Sequence, residues 1–416
     1  MERSGNDHRI IVIGLNFGSI LTMVRDFGVA GYDVEVLRVF RKAPNSLNLL
    51  GKMTPEAESR YVTRHEICIM NGRSANIRDA LLKMTDEDRT PGRKTMLIPV
   101  DDFLVSAIDD HYDELKEHFF IPNVRGMQGG IGKIMDKNLQ KEMADEAGLK
   151  VLESSLIRII DGEIDIPGDT PFPCFTKPSK SIMGSKLIMK KCLDRDELMR
   201  NLEPLKNEDG LEILCERYVD IKDEYSLLGA SVMDEVIMPG IFRAGIHGHR
   251  ERKGVAITGT VMDTGEWSDL IRKASAFVAS IGYTGMFDLD LVEDTEGKIY
   301  FTEMNFRAGA SVNAFSQCGA NIPAAFANRV LRNKPMKETI ITDGVGRTFV
   351  SEKALIEEYI RNDIDRSTMH EILDKADIFF IKDEKDAKPN DRFIRFYKVS
   401  GIYRIIYKLR DTILKR

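Results

Sequence analysis

The chain has 416 residues, 43% of them hydrophobic and 30% charged, with a formal net charge of −6. That make-up is of an ordinary soluble globular protein with room for two or three domains. The acidic balance excludes a whole-chain nucleic-acid footprint, and five scattered cysteines (Cys68, Cys174, Cys192, Cys215, Cys318) without a Cys-x-x-Cys pair exclude a disulfide framework and a zinc ribbon. The cysteines read as reduced thiols of a cytoplasmic protein.

Residues 9–14 (RIIVIG) read as a buried strand by their β-branched content, followed by a turn at Gly14–Gly18, a helix over Ser19–Ala30 and a second strand over Tyr32–Val39. A strand-to-helix turn explains this opening better than a signal peptide, because Asn16 and Gly18 interrupt the apolar run and no small-residue cleavage site follows. The Gly14-Leu15-Asn16-Phe17-Gly18 turn lacks the full spacing of a dinucleotide fingerprint. Strand signals at Glu66–Met70, Thr95–Pro99 and Phe119–Val124 alternate with helical stretches at Ser74–Lys83 and Asp101–Leu115. The alternation predicts a Rossmann-like parallel α/β layer over residues 1–125.

Gly126–Gly132 marks a boundary, and Asp136 is placed to cap the next helix. Strands are expected at Val151–Ile160, Phe172–Pro178 and Gly210–Val219, with a helix at Asp194–Leu205 and a short flexible hairpin at Ser179–Lys190. Two further strands, Tyr225–Ala230 and Glu235–Ala244, precede a helix over Ser268–Ile281. Residues 284–309 then alternate in polarity about the turn Asp294-Thr295-Glu296-Gly297. Side chains of a strand alternate faces, so Asp288 and Asp290 share one face of the first arm, and Glu303, Asn305 and Arg307 share one face of the second. Such a hairpin can put Asp290 beside Glu303 and Asn305, an all-oxygen donor set suited to Mg²⁺, with Arg307 as a fixed positive charge nearby. Taken alone, the same alternation also describes a solvated sheet face. Ile322–Leu331 reads as a closing helix.

Residues 332–416 read as a helical extension with helices near Ser351–Arg361 and Thr368–Ala376. Its tail, 392–416, carries eight Lys and Arg against one Asp, interleaved with Phe, Tyr, Ile and Leu. A helix of that kind either lies on an anionic membrane surface or packs on its own domain with a snorkelling basic face. No apolar run reaches the roughly 18 residues of a membrane span.

Glu303-Met304-Asn305-Phe306-Arg307, entered from Gly282-Tyr283-Thr284-Gly285, resembles the metal-binding hairpin of the ATP-grasp superfamily. The resemblance covers about residues 5–330. It implies an ATP-grasp fold of the α/β (α+β) class: an N-terminal domain at 1–125, an ATP-grasp domain at 126–331 with a lid at about 150–220 and a metal-bearing core at about 221–331, and the extension at 332–416. It implies ATP with two Mg²⁺ (Mn²⁺ being an acceptable substitute) held by Asp290, Glu303 and Asn305, with Arg307 steadying phosphate or intermediate charge. Lys137, Lys177 and Lys186 match phosphate-binding lysines, and Ser179, Gly184 and Ser185 belong to the matching mobile loop. Glu216 takes the adenine side, Arg217, Tyr218 and Val219 form the backbone hinge, and Glu224 matches the acid that binds ribose. Within the superfamily the chain is similar to the carbamoyl-phosphate synthase large subunit, bacterial D-aspartate ligases and ligases of surface-polysaccharide gene sets.

The basic loop around Gly240–Lys253 (Arg243, His247, His249, Arg250, Arg252, Lys253) suits an anionic substrate group, and Arg243 joins Arg307 as a catalytic candidate. Ser311 and Asn313 are candidate substrate contacts. The implied activity is a carboxylate–amine ligase that works through an acyl phosphate and joins an amino acid to a cell-wall or surface-polysaccharide precursor. The implied partners are ATP, a carboxylate and an amine. No nucleic acid is expected, and a homodimer and peripheral contact of 392–416 with the inner membrane face are admitted. A small-molecule amino-acid ligase and a non-catalytic nucleotide sensor are the alternatives, and the intact acidic set argues against the sensor.

Overall fold

A computed structural model describes residues 8–42, 54–86, 93–180, 188–248, 256–336, 341 and 344–414. The chain begins with β1 (His8–Gly14), α1 (Phe17–Val29), β2 (Asp33–Phe40), β3 (Val62–Ile69), α2 (Ala75–Asp86) and β4 (Lys94–Pro99). These strands make a parallel sheet in the order β3-β2-β1-β4. β1 is central, and Ile10, Ile11, Val12 and Ile13 are wholly buried, which is why it reads as an unbroken apolar run.

The helix expected over 101–115 is two pieces, α3 (Asp102–Asp109) and α4 (Tyr112–Leu115). Asp101 does not cap α3 with its side chain. Its Oδ2 instead accepts the Leu15 N–H at 2.6 Å and braces the β1–α1 turn. The strand expected at 119–124 shrinks to a bridge between Phe120 and Met96, plus β5 (Asn123–Val124), which pairs with another sheet. Pro122 lies between the two and has no N–H to give a ladder. In the glycine turn, Asn16 caps α1 through the Gly18 N–H. A Cβ on Gly18 would lie 2.3 Å from the Phe380 ring, so this glycine serves the packing of the turn against a distant C-terminal segment.

After α5 (Gly130–Ile134) comes α6 (Lys137–Glu146), capped by Asp136, whose side chain accepts from the N–H groups of Asn138 and Leu139. A five-stranded sheet follows, built from β6 (Ser154–Ile160), β7 (Glu163–Asp165), β8 (Cys174–Pro178), β9 (Lys190–Cys192), α7 (Arg195–Leu202) and β10 (Leu211–Arg217) in the order β7-β6-β10-β8-β9. Cys174, Cys192 and Cys215 are fully buried in its apolar core as free thiols.

The largest sheet is made of β11 (Ile221–Val232), β12 (Glu235–Ile237), β13 (Ile241–Ala244), β14 (Thr258–Met262), β15 (Tyr283–Asp294) and β16 (Ile299–Asn305). α8 (Ser268–Ile281), which precedes β15, ends on Gly282 at φ +69°, the left-handed cap that glycine takes without strain. The strand expected over 235–244 is split into β12 and β13 around Pro239-Gly240, where a Cβ would meet the Met262 carbonyl at 2.9 Å. α9 (Val312–Gln317) and α10 (Ile322–Arg332) follow.

Beyond residue 332 the chain gives more than helices. β17 (Thr348–Val350) pairs with β14, and after α11 (Glu352–Arg361) and α12 (Arg366–Asp374), β18 (Ile378–Phe379) pairs with β17. The sheet thus runs β16-β15-β11-β13-β14-β17-β18. Phe349, Phe380 and Phe393 share one apolar cluster with Phe17, Phe27, Phe315 and Phe326, so the two ends of the chain have a common core. The last helix, α13 (Ala387–Leu414), is held by Phe393, which is buried, and by Arg404, which donates to the carbonyls of Tyr359 and Ile364.

Charge also ties the ends together. Asp386 is 2% exposed and accepts from Arg25 Nε at 3.0 Å, Ser59 Oγ at 2.8 Å and the Arg60 N–H at 2.9 Å. Removing one partner of a buried pair leaves an uncompensated charge. Asp386→Ala should therefore lower unfolding stability by about 3–5 kcal/mol in urea titration, and an unchanged midpoint would show that the pair does not stabilise the fold.

Candidate active site

The site is built where β15 and β16 pair. Asp288 lies opposite Asn305 and Asp290 opposite Glu303, with a register shift immediately after Asp290. The Asn305 amide donates to Asp290 Oδ2 at 3.0 Å, and Ser226 Oγ donates to Asp290 Oδ1 at 3.2 Å. The structure therefore brings Asp290, Glu303 and Asn305 together. Arg307 stands over the same group, 3.4 Å from Asp288 and 3.3 Å from Asp102. These side chains line a cavity of about 760 Å³ that extends to Asn16, Ser19 and Lys353.

Burial and like charge shape the electrostatics. Burial, reinforced by the charge of Asp290, pushes the Asp288 carboxyl up to about 8. Burial also raises Asp290. Burial alone would lower Arg307, but Asp102, Asp288 and Asp290 outweigh it and keep the guanidinium charged. Asp288 Oδ1 is buried without a hydrogen-bond partner. Gly309 permits this packing, since a Cβ there would lie 2.2 Å from Asp288 Oδ2.

Among the described residues, no three His, Cys, Asp or Glu side chains converge as a cation cage. The acids are neutralised from within instead: Glu303 pairs with Lys137, and Asp288 with Arg307. Completing an oxygen set requires the Asn305 amide. Two carboxylates, one amide and an unpaired buried carboxylate oxygen fit a hard divalent cation once Lys137 turns away.

The lysines arrive from two elements. Lys137 opens α6 and is 7% exposed; burial first, and repulsion from Lys177 next, lower it to about 8. Lys177, on β8, reaches Glu216 Oε2 at 2.8 Å and the Thr302 carbonyl at 3.3 Å. Glu216, expected on the adenine side, is engaged through both carboxylate oxygens. Its second oxygen is taken by Lys141 Nζ at 2.8 Å, and although burial opposes it, Lys177 and Lys141 together hold the carboxyl below its ordinary value. It is a buried counter-ion, because two lysines flank it on adjoining elements. Lys141, absent from the sequence expectations, would have been found by its spacing: positions 137, 140, 141 and 144 share one helical face, and all are buried.

At the hinge, the Arg217 N–H donates to the Glu153 carbonyl and the Tyr218 N–H to the Pro173 carbonyl, both at 2.8 Å. Those two amides are committed, and Val219 is the hinge position whose amide has no backbone partner among the described residues. Glu224 lines the cavity, 3.9 Å from His247 Nε2.

Arg243, the second catalytic candidate, stands on another face of the sheet. It pairs in register with Tyr225 and binds Asp223 at 2.7 Å, on the sheet face where Tyr225 donates to Glu293 and packs on Trp267. Its neighbours Phe242 and Ala244 line the cavity while Arg243 lines a separate cleft. Alternation along β13 turns it to the reverse face from Asp290. Ser311 reaches the cavity wall. Asn313 instead spends its amide on the Phe379 carbonyl. Ser179 is buried at the end of β8 and accepts the Lys137 N–H with its carbonyl. Gly184, Ser185, Lys186, His249, Arg250, Arg252 and Lys253 lie outside the described residues.

No family model matches the chain. It is 25% identical over 217 residues to the carbamoyl phosphate synthase large chain of Rhodopirellula baltica, covering 50% of this chain and 20% of that one. It is 26% identical over 214 residues to the 2-oxoglutarate carboxylase small subunit of Hydrogenobacter thermophilus (48% and 44% covered), and 24% identical over 187 residues to the D-alanine–D-alanine ligase of Bacillus cytotoxicus (42% and 51% covered). The chain thus spans between a fifth and a half of these relatives' lengths. Among solved structures, an L-amino acid ligase from Bacillus licheniformis matches with a TM-score of 0.57 at 14% identity, covering 79% of this chain and 75% of that one. The biotin carboxylase domain of the Hydrogenobacter 2-oxoglutarate carboxylase, solved with MgADP, ADP and bicarbonate, matches with a TM-score of 0.60 at 17% identity, covering 81% and 73%.

Lys177, which reaches β16 from the five-stranded sheet, and Arg243, on the reverse face of the large sheet, make opposite forecasts. Lys177→Ala should weaken nucleotide affinity about tenfold or more, the loss of a charged contact of at least about 1.4 kcal/mol. Arg243→Ala should leave it within about twofold, read by calorimetric titration.

Proposed function

We propose, from the ATP-grasp fold that the chain shares with these solved structures, that it is an ATP-dependent carboxylate–amine ligase of the ATP-grasp superfamily. The observation that carries the reading is one cavity lined by an all-oxygen Asp-Glu-Asn set and a charged arginine, with buried Lys137 paired to its Glu303 and buried Lys177 donating to the carbonyl of its Thr302. Phosphoryl transfer needs this combination of fixed positive charge and oxygen donors and little other protein chemistry.

Asp290, Glu303 and Asn305 would hold Mg²⁺, one ion or two, and the metal would neutralise charge on the phosphates. Lys137 and Lys177 exchange their present carboxylate partners for phosphate oxygens. The Val219 amide faces the adenine edge, and Glu224 is placed for the ribose hydroxyls. A substrate carboxylate attacks the γ-phosphorus, the bond to the β–γ bridging oxygen breaks, and an acyl phosphate and ADP result. An amine then attacks the acyl carbon and displaces phosphate, while Arg307, kept charged by its acidic neighbours, stabilises the oxyanion. The sheet unit at 150–220 excludes water, which would otherwise hydrolyse the acyl phosphate.

For substrates, an amino acid joined to a cell-wall or surface-glycan precursor is the finer reading, supported by the D-alanine–D-alanine ligase and L-amino acid ligase likenesses. Contact with the inner membrane face is part of it. On α13, Ile394, Ile402 and Ile405 are exposed, beside exposed Arg395 and Lys398, and no described helix is long and apolar enough to cross a membrane. Truncation before residue 392 should abolish co-sedimentation with anionic liposomes, and equal partitioning of both forms would remove membrane contact from the account.

The activity is tested by screening amino acids and small carboxylates for ADP release with Mg-ATP, with hydroxylamine to trap acyl phosphate as hydroxamate. The expected result is carboxylate-dependent ADP and hydroxamate, lowered on the order of 100-fold in Glu303→Gln. Tight ATP binding with no ADP from any carboxylate would instead make the chain a nucleotide sensor.

A further inference from the structure

α6 does more than present Lys137. Its buried face carries three polar side chains, Lys137, Gln140 and Lys141, within about two turns, and each reaches a different part of the site. Gln140 grips β16 through both ends of its amide: Oε1 accepts the Met304 N–H at 2.7 Å, and Nε2 donates to the Met304 carbonyl at 3.1 Å. That fixes the helix to the strand bearing Glu303 and Asn305. Lys141, one residue on, is 3% exposed and reaches the other way. Its Nζ donates to the Leu152 carbonyl at 2.7 Å and to Glu216 Oε1 at 2.8 Å.

Leu152 and Glu216 stand at the two places where the chain passes between the large sheet and the five-stranded sheet unit. Leu152 precedes β6 and Glu216 is the penultimate residue of β10, and the crossings are themselves joined by the Arg217 N–H to the Glu153 carbonyl. One ammonium therefore holds both crossings against a helix that is locked to the acidic strand. The same Glu216 carboxylate sets Lys177 through its other oxygen.

We propose that Lys141 is a positioning residue that clamps the hinge of the sheet unit at 150–220 and holds Glu216 so that Lys177 points at the phosphate end of the cavity. The inference rests on reading that unit as a lid over a nucleotide. Lys141 touches no substrate. With Lys141 gone, Glu216 has one cation instead of two, draws Lys177 wholly to itself, and the two crossings lose their common anchor. A buried ammonium that served stability alone would loosen the whole core when removed. A hinge clamp loosens two segments.

The test is amide hydrogen exchange on the full chain without nucleotide, paired with Mg-ATP titration. In Lys141→Met, exchange at residues 152–160 and 211–217 should rise on the order of tenfold with β1 and β15 unchanged, and Mg-ATP affinity should fall by a similar factor. Lys141→Arg, which keeps charge and donors, should restore most of both. Exchange that is equal to wild type, or raised uniformly across the chain, overturns the clamp. Should Lys141→Met fail to fold, Lys141→Gln, which keeps a donor for the Leu152 carbonyl but no charge, makes the same comparison. If wild-type protein binds no Mg-ATP, the nucleotide reading falls and the exchange comparison still judges the hinge.

Discussion

Four buried charges and one partly exposed carboxylate set the geometry of the site: Lys137 and Lys141 on α6, Lys177 on β8, Glu216 on β10, and Glu303 on β16. Asp290 lies beside the same group and acts on Lys137, so ammonium groups and carboxylates offset one another. Such groups persist in an interior only when paired or hydrogen-bonded, and here each carboxylate is met by at least one lysine. Phosphate oxygens would offer Lys137 and Lys177 partners outside this set. A divalent cation at Asp290 and Glu303 would release Lys137 toward them.

That constraint explains the arrangement of the rest. α6 must sit between the two sheets, so it is capped by Asp136 at one end and pinned by Gln140 in the middle. Arg307 needs acids around it to remain charged in a buried position, and Asp102 comes from the N-terminal unit to supply one. The Asp101 carboxylate next to it holds the β1–α1 turn in place. The C-terminal segment closes the cavity from the far side with Lys353 and Phe380, which is why it shares a core with α1 and adds β17 and β18 to the large sheet.

Much of this was legible in the chain. The β15–β16 hairpin declared its acidic face by alternation, and helix 268–281 was readable to the residue from its apolar stripe and Gly282. Local pattern failed where partners are remote. Arg243 looked useful because it sits in a basic loop, yet its face is decided by register with Tyr225, which no local pattern records. Glu216 was expected on the adenine side, and its pairing with two lysines was hidden because they lie 75 and 39 positions away. Segments 348–350 and 378–379 are too short to announce strands, and they exist because β14 offers them an edge. Gly18 was readable as a turn glycine, but its need for space comes from Phe380, far along the chain.

The central claim is that one cavity holds metal and triphosphate together, and anomalous diffraction from crystals grown with Mn²⁺ and a non-hydrolysable ATP analogue tests it most directly. The account predicts an anomalous peak coordinated by Asp290, Glu303 and the Asn305 amide oxygen, with Lys137 and Lys177 turned onto phosphate oxygens. A peak on the reverse face near Asp223 and Glu293, or a bound nucleotide with Lys137 still on Glu303, would contradict it.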